Sequence, residues 1–224
     1  MSDEEAIPPP PAVPGEAAPT EAAPPPKPAA PARPRIPFPP LFGKYPFDGV
    51  QVHDPGLVNC ISLDPVYWPH SEGKLAVRPF AKTHMHLVER LANHLMKTGR
   101  FSGKKTKALN VIREAFAKLA KEQPDVNPLQ LLVDAVENAA PREEVTRLQF
   151  GGISVPRAVD ASPVRRLNVA IRNLALGAMQ APKSKGTAIA DALAREIALA
   201  AKGDMNSFAV ARKEEVERVA QSAR

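Results

Sequence analysis

Cysteine is nearly absent: Cys60 stands alone in 224 residues, so no intrachain disulfide framework can form and a reducing compartment is expected. No apolar run is long enough to span a bilayer. The first residues, Ser2-Asp3-Glu4-Glu5, have the wrong charge for a secretory leader, which adds to the expectation of a soluble, cytoplasmic chain. Catalytic signatures are missing as well, with neither a triad motif nor a dinucleotide fingerprint. Gly99-Arg-Phe-Ser-Gly103-Lys104-Lys105-Thr106 approaches a nucleotide-binding loop. It fails because its glycines are one residue too close and Lys105 stands where a magnesium-binding hydroxyl is needed. His84 and His86 fall in a helical pattern, where their rings diverge. His53, His70 and Cys60 lack ligand-like spacing, so neither a metal nor any other cofactor is expected. Glu143-Glu144 are adjacent, point apart and have no nucleophile beside them, which argues against an enzyme.

Positive charge is present in excess, and it is unevenly spread. Residues 1–40 hold 3 basic and 5 acidic side chains, leaving 27 basic and 19 acidic for the remainder, a net of +8 there within the chain's total of +6. A basic folded part points to a polyanion or an anionic membrane. The same 40 residues contain 15 of the 26 prolines and little apolar bulk, which predicts a disordered Pro/Ala-rich tail. Prolines then punctuate residues 41–80, predicting an irregular arm with short strands.

From about Ala81 the pattern becomes helical. Apolar stripes run through Met85–Leu95, Leu109–Leu119, Leu129–Ala140, Val164–Leu174 and Ile189–Ala200, and a last helix carries Val216 and Val219. Asn127-Pro128 and Ser162-Pro163 are helix starts, and Pro141 is a stop. Between them Gly151-Gly152 predicts a two-residue hairpin turn pairing Phe150 with Ile153 and Leu148 with Val155. Arg147, Gln149 and Ser154 then line the opposite face. The fold expected is mainly α: about six packed helices with one protruding β-hairpin at 142–160, in a helical domain spanning 81–224.

The cations recur in clusters. Lys104, Lys105 and Lys107 crowd a helix N-terminus, where free amides favour anions. Arg165, Asn168 and Arg172 share one helix face, extended by Arg166 and by Lys183 and Lys185, and Arg147 and Arg157 lie on the ribbon. A single charged stripe is usually a solvated face, but repetition of the same chemistry favours phosphate contact.

Asn138-Ala-Ala-Pro-Arg-Glu-Glu-Val-Thr-Arg147 and Ala158-Val-Asp-Ala-Ser-Pro-Val-Arg-Arg-Leu-Asn168 closely resemble the small-subunit ribosomal protein family called S-seven in bacteria, in its archaeal and eukaryotic branch. Val88-Glu-Arg-Leu91, Gly103-Lys-Lys105, Ala200-Ala-Lys-Gly203 and the segment Lys213–Arg224 match in the same order. The resemblance implies a structural, ribosome-bound protein that binds the 3′ major domain of small-subunit ribosomal RNA and nucleates assembly of the subunit head. It implies a ribbon and C-terminal end near the exit (E) site, with transfer and messenger RNA close by and a protein of the S-eleven family as neighbour. The RNA contacts expected are Lys97, Arg100, Lys104, Lys105, Lys107, Arg142, Arg147, Arg157, Arg165, Arg166, Asn168, Arg172, Lys183, Lys185 and Arg224. The link at 180–186, which contains Pro182, is variable in this family. A translational repressor binding its own messenger RNA would use the same surface.

Overall fold

A computed structural model describes residues 39–97, 101–185 and 188–224. The tail expected over 1–40 therefore lies almost wholly outside the described residues, as does Arg100. The side chains of Lys183 and Lys185 are also outside them. The elements are α1 (Leu87–Leu95), α2 (Lys105–Glu122), α3 (Pro128–Ala139), β1 (Glu143–Phe150), β2 (Ile153–Asp160), α4 (Pro163–Lys185), α5 (Ile189–Ala201) and α6 (Phe208–Ser222). Six helices and one antiparallel ribbon match the expected fold class. No described helix is long and apolar enough to cross a membrane.

Helix α5 lies against α2, α3 and α4, while α4 also packs on α1 and α6. The stripes read from the sequence converge here. Leu91, Leu95, Leu109, Ile112, Phe116, Leu132, Val136, Leu167, Ile171, Leu174, Leu193 and Ile197 are all buried in one core. Gly177 marks the tightest crossing: a Cβ there would meet the Glu196 carboxyl carbon at 2.9 Å and the Phe208 Cβ at 3.0 Å. The carboxylate of Glu196 is buried and accepts hydrogen bonds from the Ser207 hydroxyl (2.8 Å) and the Ala209 amide (3.0 Å). It thereby satisfies the free donors at the start of α6.

The arm enters the core instead of lying on it. Leu41, Phe42, Tyr45, Leu57, Cys60 and Ile61 are buried, and the rings of Phe42 and Tyr45 meet Phe116 edge-on at 6.4 and 5.8 Å. Among the described residues, strand pairing in the arm amounts to isolated bridges, Leu41 with Tyr45 and Ser62 with His86. Two 3-10 turns, Lys74–Ala76 and Ala81–His84, precede α1, which starts later than the sequence pattern suggests. At the other end of the domain, residues 180–185 continue α4 instead of forming a link. Lys, Gln and Ala dominate that stretch and favour helix, so one proline does not end it.

The ribbon has the predicted register, with Phe150 opposite Ile153 and Leu148 opposite Val155. Gly151 (φ 52°) and Gly152 (φ 88°) both take left-handed dihedrals, as a two-residue turn of this hand requires. The base of the ribbon leans on α6.

Asn127 joins arm to core. Its Oδ1 accepts from the Leu129 amide (3.0 Å), capping α3, and its Nδ2 donates to the Pro46 carbonyl (2.6 Å). Asn127→Ala should lower unfolding stability by about 1–2 kcal/mol. Asn127→Asp keeps the cap but sets a carboxylate oxygen against the Pro46 carbonyl, so it isolates the contact to the arm, and Asn127→Ala should lose the cap as well. Urea melts of the two variants check this, and equal losses would mean the cap is irrelevant.

Candidate nucleic-acid interface

Two polar stripes meet between α1 and α4. On α4, Arg165, Asn168 and Arg172 follow one another at helical spacing, turned away from Leu167, Ile171 and Leu174. On α1, Asn93 and His94 are half-buried and line the groove, with the buried Arg90 before them and the exposed Lys97 just beyond the helix end. The stripes are stitched together where Arg90 Nη2 donates to Asn168 Oδ1 (2.8 Å) and Arg90 Nη1 donates to the Cys60 carbonyl (3.2 Å). The result is an open groove of about 850 Å³, with Phe80, Lys82 and Met85 also in its lining. Among the described residues its lining contains no carboxylate.

His94 reports the field in this groove. Burial pushes its imidazole down, and the cations Lys97, Arg90, Arg172 and Lys82 push it further, to about 4. Among the described residues, Lys82, Lys97 and Arg172 form no ion pair, so their charge is unspent. Arg165 is exposed and pairs with Glu144 of β1. Together with Arg172 it forms the ridge between the groove and a second depression of about 580 Å³ toward α6.

Not every predicted cation is on the surface. Arg166 is buried and donates from Nη2 to Asp54 Oδ2 at 2.6 Å. Burial alone would raise the Asp54 carboxyl, but the Arg166 guanidinium and the Gly56 amide outweigh it and hold it below its ordinary value. Gly56 lies close to this pair: a Cβ there would stand 2.9 Å from Arg166 Nη1, so the guanidinium would have to shift. Lys105 turns inward to Glu89, which also accepts from the amide (2.9 Å) and hydroxyl (2.8 Å) of Ser71. Burial would raise the Glu89 carboxyl too, and these partners hold it low. Of the lysine cluster, Lys104 stays exposed at the start of α2, and the Lys107 ammonium lies 5.2 Å from the Phe101 ring centre.

The ribbon cations separate by parity. Arg147 is opposite Pro156 and shares a face with Gln149 and Ser154, whereas Arg157 is opposite Thr146 and shares a face with Leu148 and Val155. Both are exposed, so the ribbon presents one arginine on each side. At its base the Arg142 amide donates to Glu217 Oε1 (2.8 Å), the Ala158 amide donates to the Ala223 carbonyl (3.2 Å), and Arg224 pairs with Glu143. Arg142 itself is exposed.

Reading from sequence overlooked Phe80, Lys82, Arg90, Asn93 and His94. The spacing of residues 90, 93, 94 and 97 was the signal that could have found the α1 stripe. The structure also brings His53 beside Asp134 and Glu137, with ligand-type atoms within 4.8 Å of one another. Glu137 Oε1 already accepts from the amides of His53 (2.7 Å) and Asp54 (3.2 Å), and Asp134 from Gln130 (2.6 Å). This cluster therefore acts as a latch between the arm and α3.

The sequence model of the family described as ribosomal protein S7p/S5e matches residues 69–224, which include all six helices and the ribbon. The chain belongs to that family. Its members are structural ribosomal proteins, not enzymes. The small ribosomal subunit protein uS7 of Archaeoglobus fulgidus is 51% identical over 184 residues, covering 82% of this chain and 94% of the relative. The uS7 proteins of Thermoplasma volcanium (49% over 184 residues) and Methanococcus vannielii (50% over 185) also cover 82% of this chain, and 100% and 95% of their own lengths. In this S7 chain the acid-free groove uses residues inside the matched segment, so the cationic surface belongs to the family's own domain.

A buried histidine, His86, and a half-buried one, His94, predict acid sensitivity for this S7 fold. Burial lowers His86 to about 4, like His94, despite the opposing pull of Asp64 and Glu89. Unfolded imidazoles take up protons near 6.5, whereas the folded ones resist until about 4. Their contribution to stability is therefore full above about 6.5 and is lost as pH falls toward 4. Urea midpoints measured from pH 7 to 4.5 should fall, and His94→Gln, which stays neutral, should flatten the fall. An unchanged slope in that variant would exclude His94 as a source.

Proposed function

We propose that this chain is a structural constituent of the small ribosomal subunit, ribosome-bound in the cytoplasm, and that it grips folded ribosomal RNA across the α1–α4 groove. The observation that carries the reading is a groove lined by Lys82, Lys97, Arg165 and Arg172 with no carboxylate, on a chain of the S7 family. Its target is the 3′ major domain of the small-subunit RNA, and its role there is to nucleate the head. The ribbon and the C-terminal end reach toward the E site, near messenger and transfer RNA, and a protein of the S-eleven family is a neighbour.

The mechanism is passive. Guanidinium and ammonium groups neutralise phosphates brought together by the RNA fold and release their counterions. Arginine suits the ridge because its planar fork can meet two phosphate oxygens at once. An A-form duplex hides most base edges, so backbone shape is what such a groove can read. The exposed arginines on both faces of the ribbon let it lie between RNA segments.

Replacing Arg165 and Arg172 by alanine should weaken binding to a transcript of the 3′ major domain by about tenfold or more, and should lower the salt slope by about one to two. Circular dichroism should be unchanged, because both side chains are outside the core. Arg166→Ala should do the reverse. It leaves Asp54 unpaired and should cost on the order of 3 kcal/mol of stability. Equal RNA affinity of the double variant and the wild type in filter binding at physiological salt would refute the groove as the contact surface.

Removing residues 147–157 should leave a folded, RNA-binding core, since among the described side chains the ribbon contributes none to the main cluster. Subunits carrying that deletion should then show altered chemical protection around the exit site. A core that no longer melts cooperatively would make the ribbon part of the fold.

A further inference from the structure

Phe80 is exposed by 75%, more than any other aromatic ring among the described residues. Its backbone is also out of place for a bulky side chain, at φ 60° and ψ −6° in the left-handed region. Left-handed dihedrals in a non-glycine residue are uncommon, and they persist only where neighbours enforce them. Here Thr83 is the enforcer. Its amide (2.9 Å) and its hydroxyl (2.7 Å) both donate to the Phe80 carbonyl, locking the turn that opens the Ala81–His84 helix. An exposed ring and a left-handed backbone each oppose folding, and the two Thr83 hydrogen bonds hold the backbone without covering the ring.

What the arrangement achieves is position. Phe80 lines the α1–α4 groove, two residues before Lys82 and together with Lys97, Arg165 and Arg172. Single-stranded RNA is held by this pairing of groups, an aromatic face for an unstacked base and cations for the phosphates beside it. We propose that Phe80 is a stacking platform for an unpaired nucleobase of the bound RNA, seated at the mouth of the groove while the adjoining phosphates meet Lys82, Lys97 and Arg172. The inference rests on the RNA-binding reading above and adds to it a base contact within a surface that otherwise reads backbone. Val77 and Pro79 are exposed nearby and could favour a protein neighbour instead. The carboxylate-free cationic lining favours a polyanion.

The test uses the full chain and a transcript of the 3′ major domain of an archaeal small-subunit RNA. Phe80→Gly and Phe80→Leu should each weaken binding by about 5- to 100-fold, and Phe80→Trp should stay within about twofold of wild type. The salt slope should be unchanged in all three, because no charge is altered. Phe80→Gly should melt no lower than wild type, since glycine takes the left-handed conformation without strain. Retained affinity in the glycine or leucine variant overturns the proposal, and so does a glycine variant that loses its fold. If the glycine variant binds RNA normally but fails to enter reconstituted subunits, the ring contacts a protein and the proposal also falls. If the wild type itself does not bind the transcript, the RNA-binding reading fails first. Wild-type binding that only Phe80 variants leave untouched removes the stacking platform alone.

Discussion

A charge taken out of water must find a partner, and this requirement sorts the cations of the chain into two sets. Arg90, Arg166 and Lys105 are enclosed, and each is matched by an acceptor: Asn168 and the Cys60 carbonyl, Asp54, and Glu89. Lys82, Lys97 and Arg172 stay exposed, and among the described residues no carboxylate lines the groove with them. The first set fixes the fold and the second is available to a ligand. Several of the acceptors come from the arm or are steadied by it: Asp54 and the Cys60 carbonyl belong to it, and Ser71 holds Glu89 in place. The arm therefore helps keep the groove positive, because it supplies partners for inward cations without placing an acid among the outward ones.

Helical periodicity does the rest. A turn of 3.6 residues puts Leu167, Ile171 and Leu174 in the core and carries Arg165, Asn168 and Arg172 to the opposite side. The same arithmetic on α1 buries Leu87, Leu91 and Leu95 and carries Asn93 and His94 to the groove, which Lys97 joins just past the helix end. Two helices with ordinary amphipathic patterns thus make one electropositive trough at their junction. Burial first and then the four cations Lys97, Arg90, Arg172 and Lys82 hold the His94 imidazole below its ordinary value. A site of this kind can hold an anion but has no group placed to transform one, in keeping with a structural ribosomal protein.

Features set by local chemistry were legible in the sequence. Asn127-Pro128, Ser162-Pro163 and Pro141 mark helix boundaries because capping and proline geometry act over a few residues. Gly151-Gly152 fixes the ribbon register because only glycine takes both turn positions without strain. Partner choice over long distances was not legible. Arg165 and Arg166 are adjacent and look alike, yet one is in solvent and the other in the core. What decides is Asp54, 112 positions earlier in the chain. Lys105 differs from Lys104 and Lys107 for the same reason, a carboxylate on another helix. The α1 stripe was readable by spacing, but it gained meaning only when α4 was laid beside it.

The ribbon shows the same logic at the edge of the molecule. A two-stranded ribbon is marginal alone, and only its base is supported here, by α6 and by the last residues of the chain through Ala223 and Arg224. Toward the tip, Ile153 (70% exposed) and Val155 (44%) remain uncovered beside Arg157. With its root tied at several points, the ribbon cannot swing far from the helices, so its direction is set before any ligand arrives. With its tip uncovered, it has apolar surface left to bury. Rigidity at one end and unmet surface at the other suit an element that is completed by its surroundings, and they explain why a domain with a sufficient helical core carries a ribbon that this core does not require.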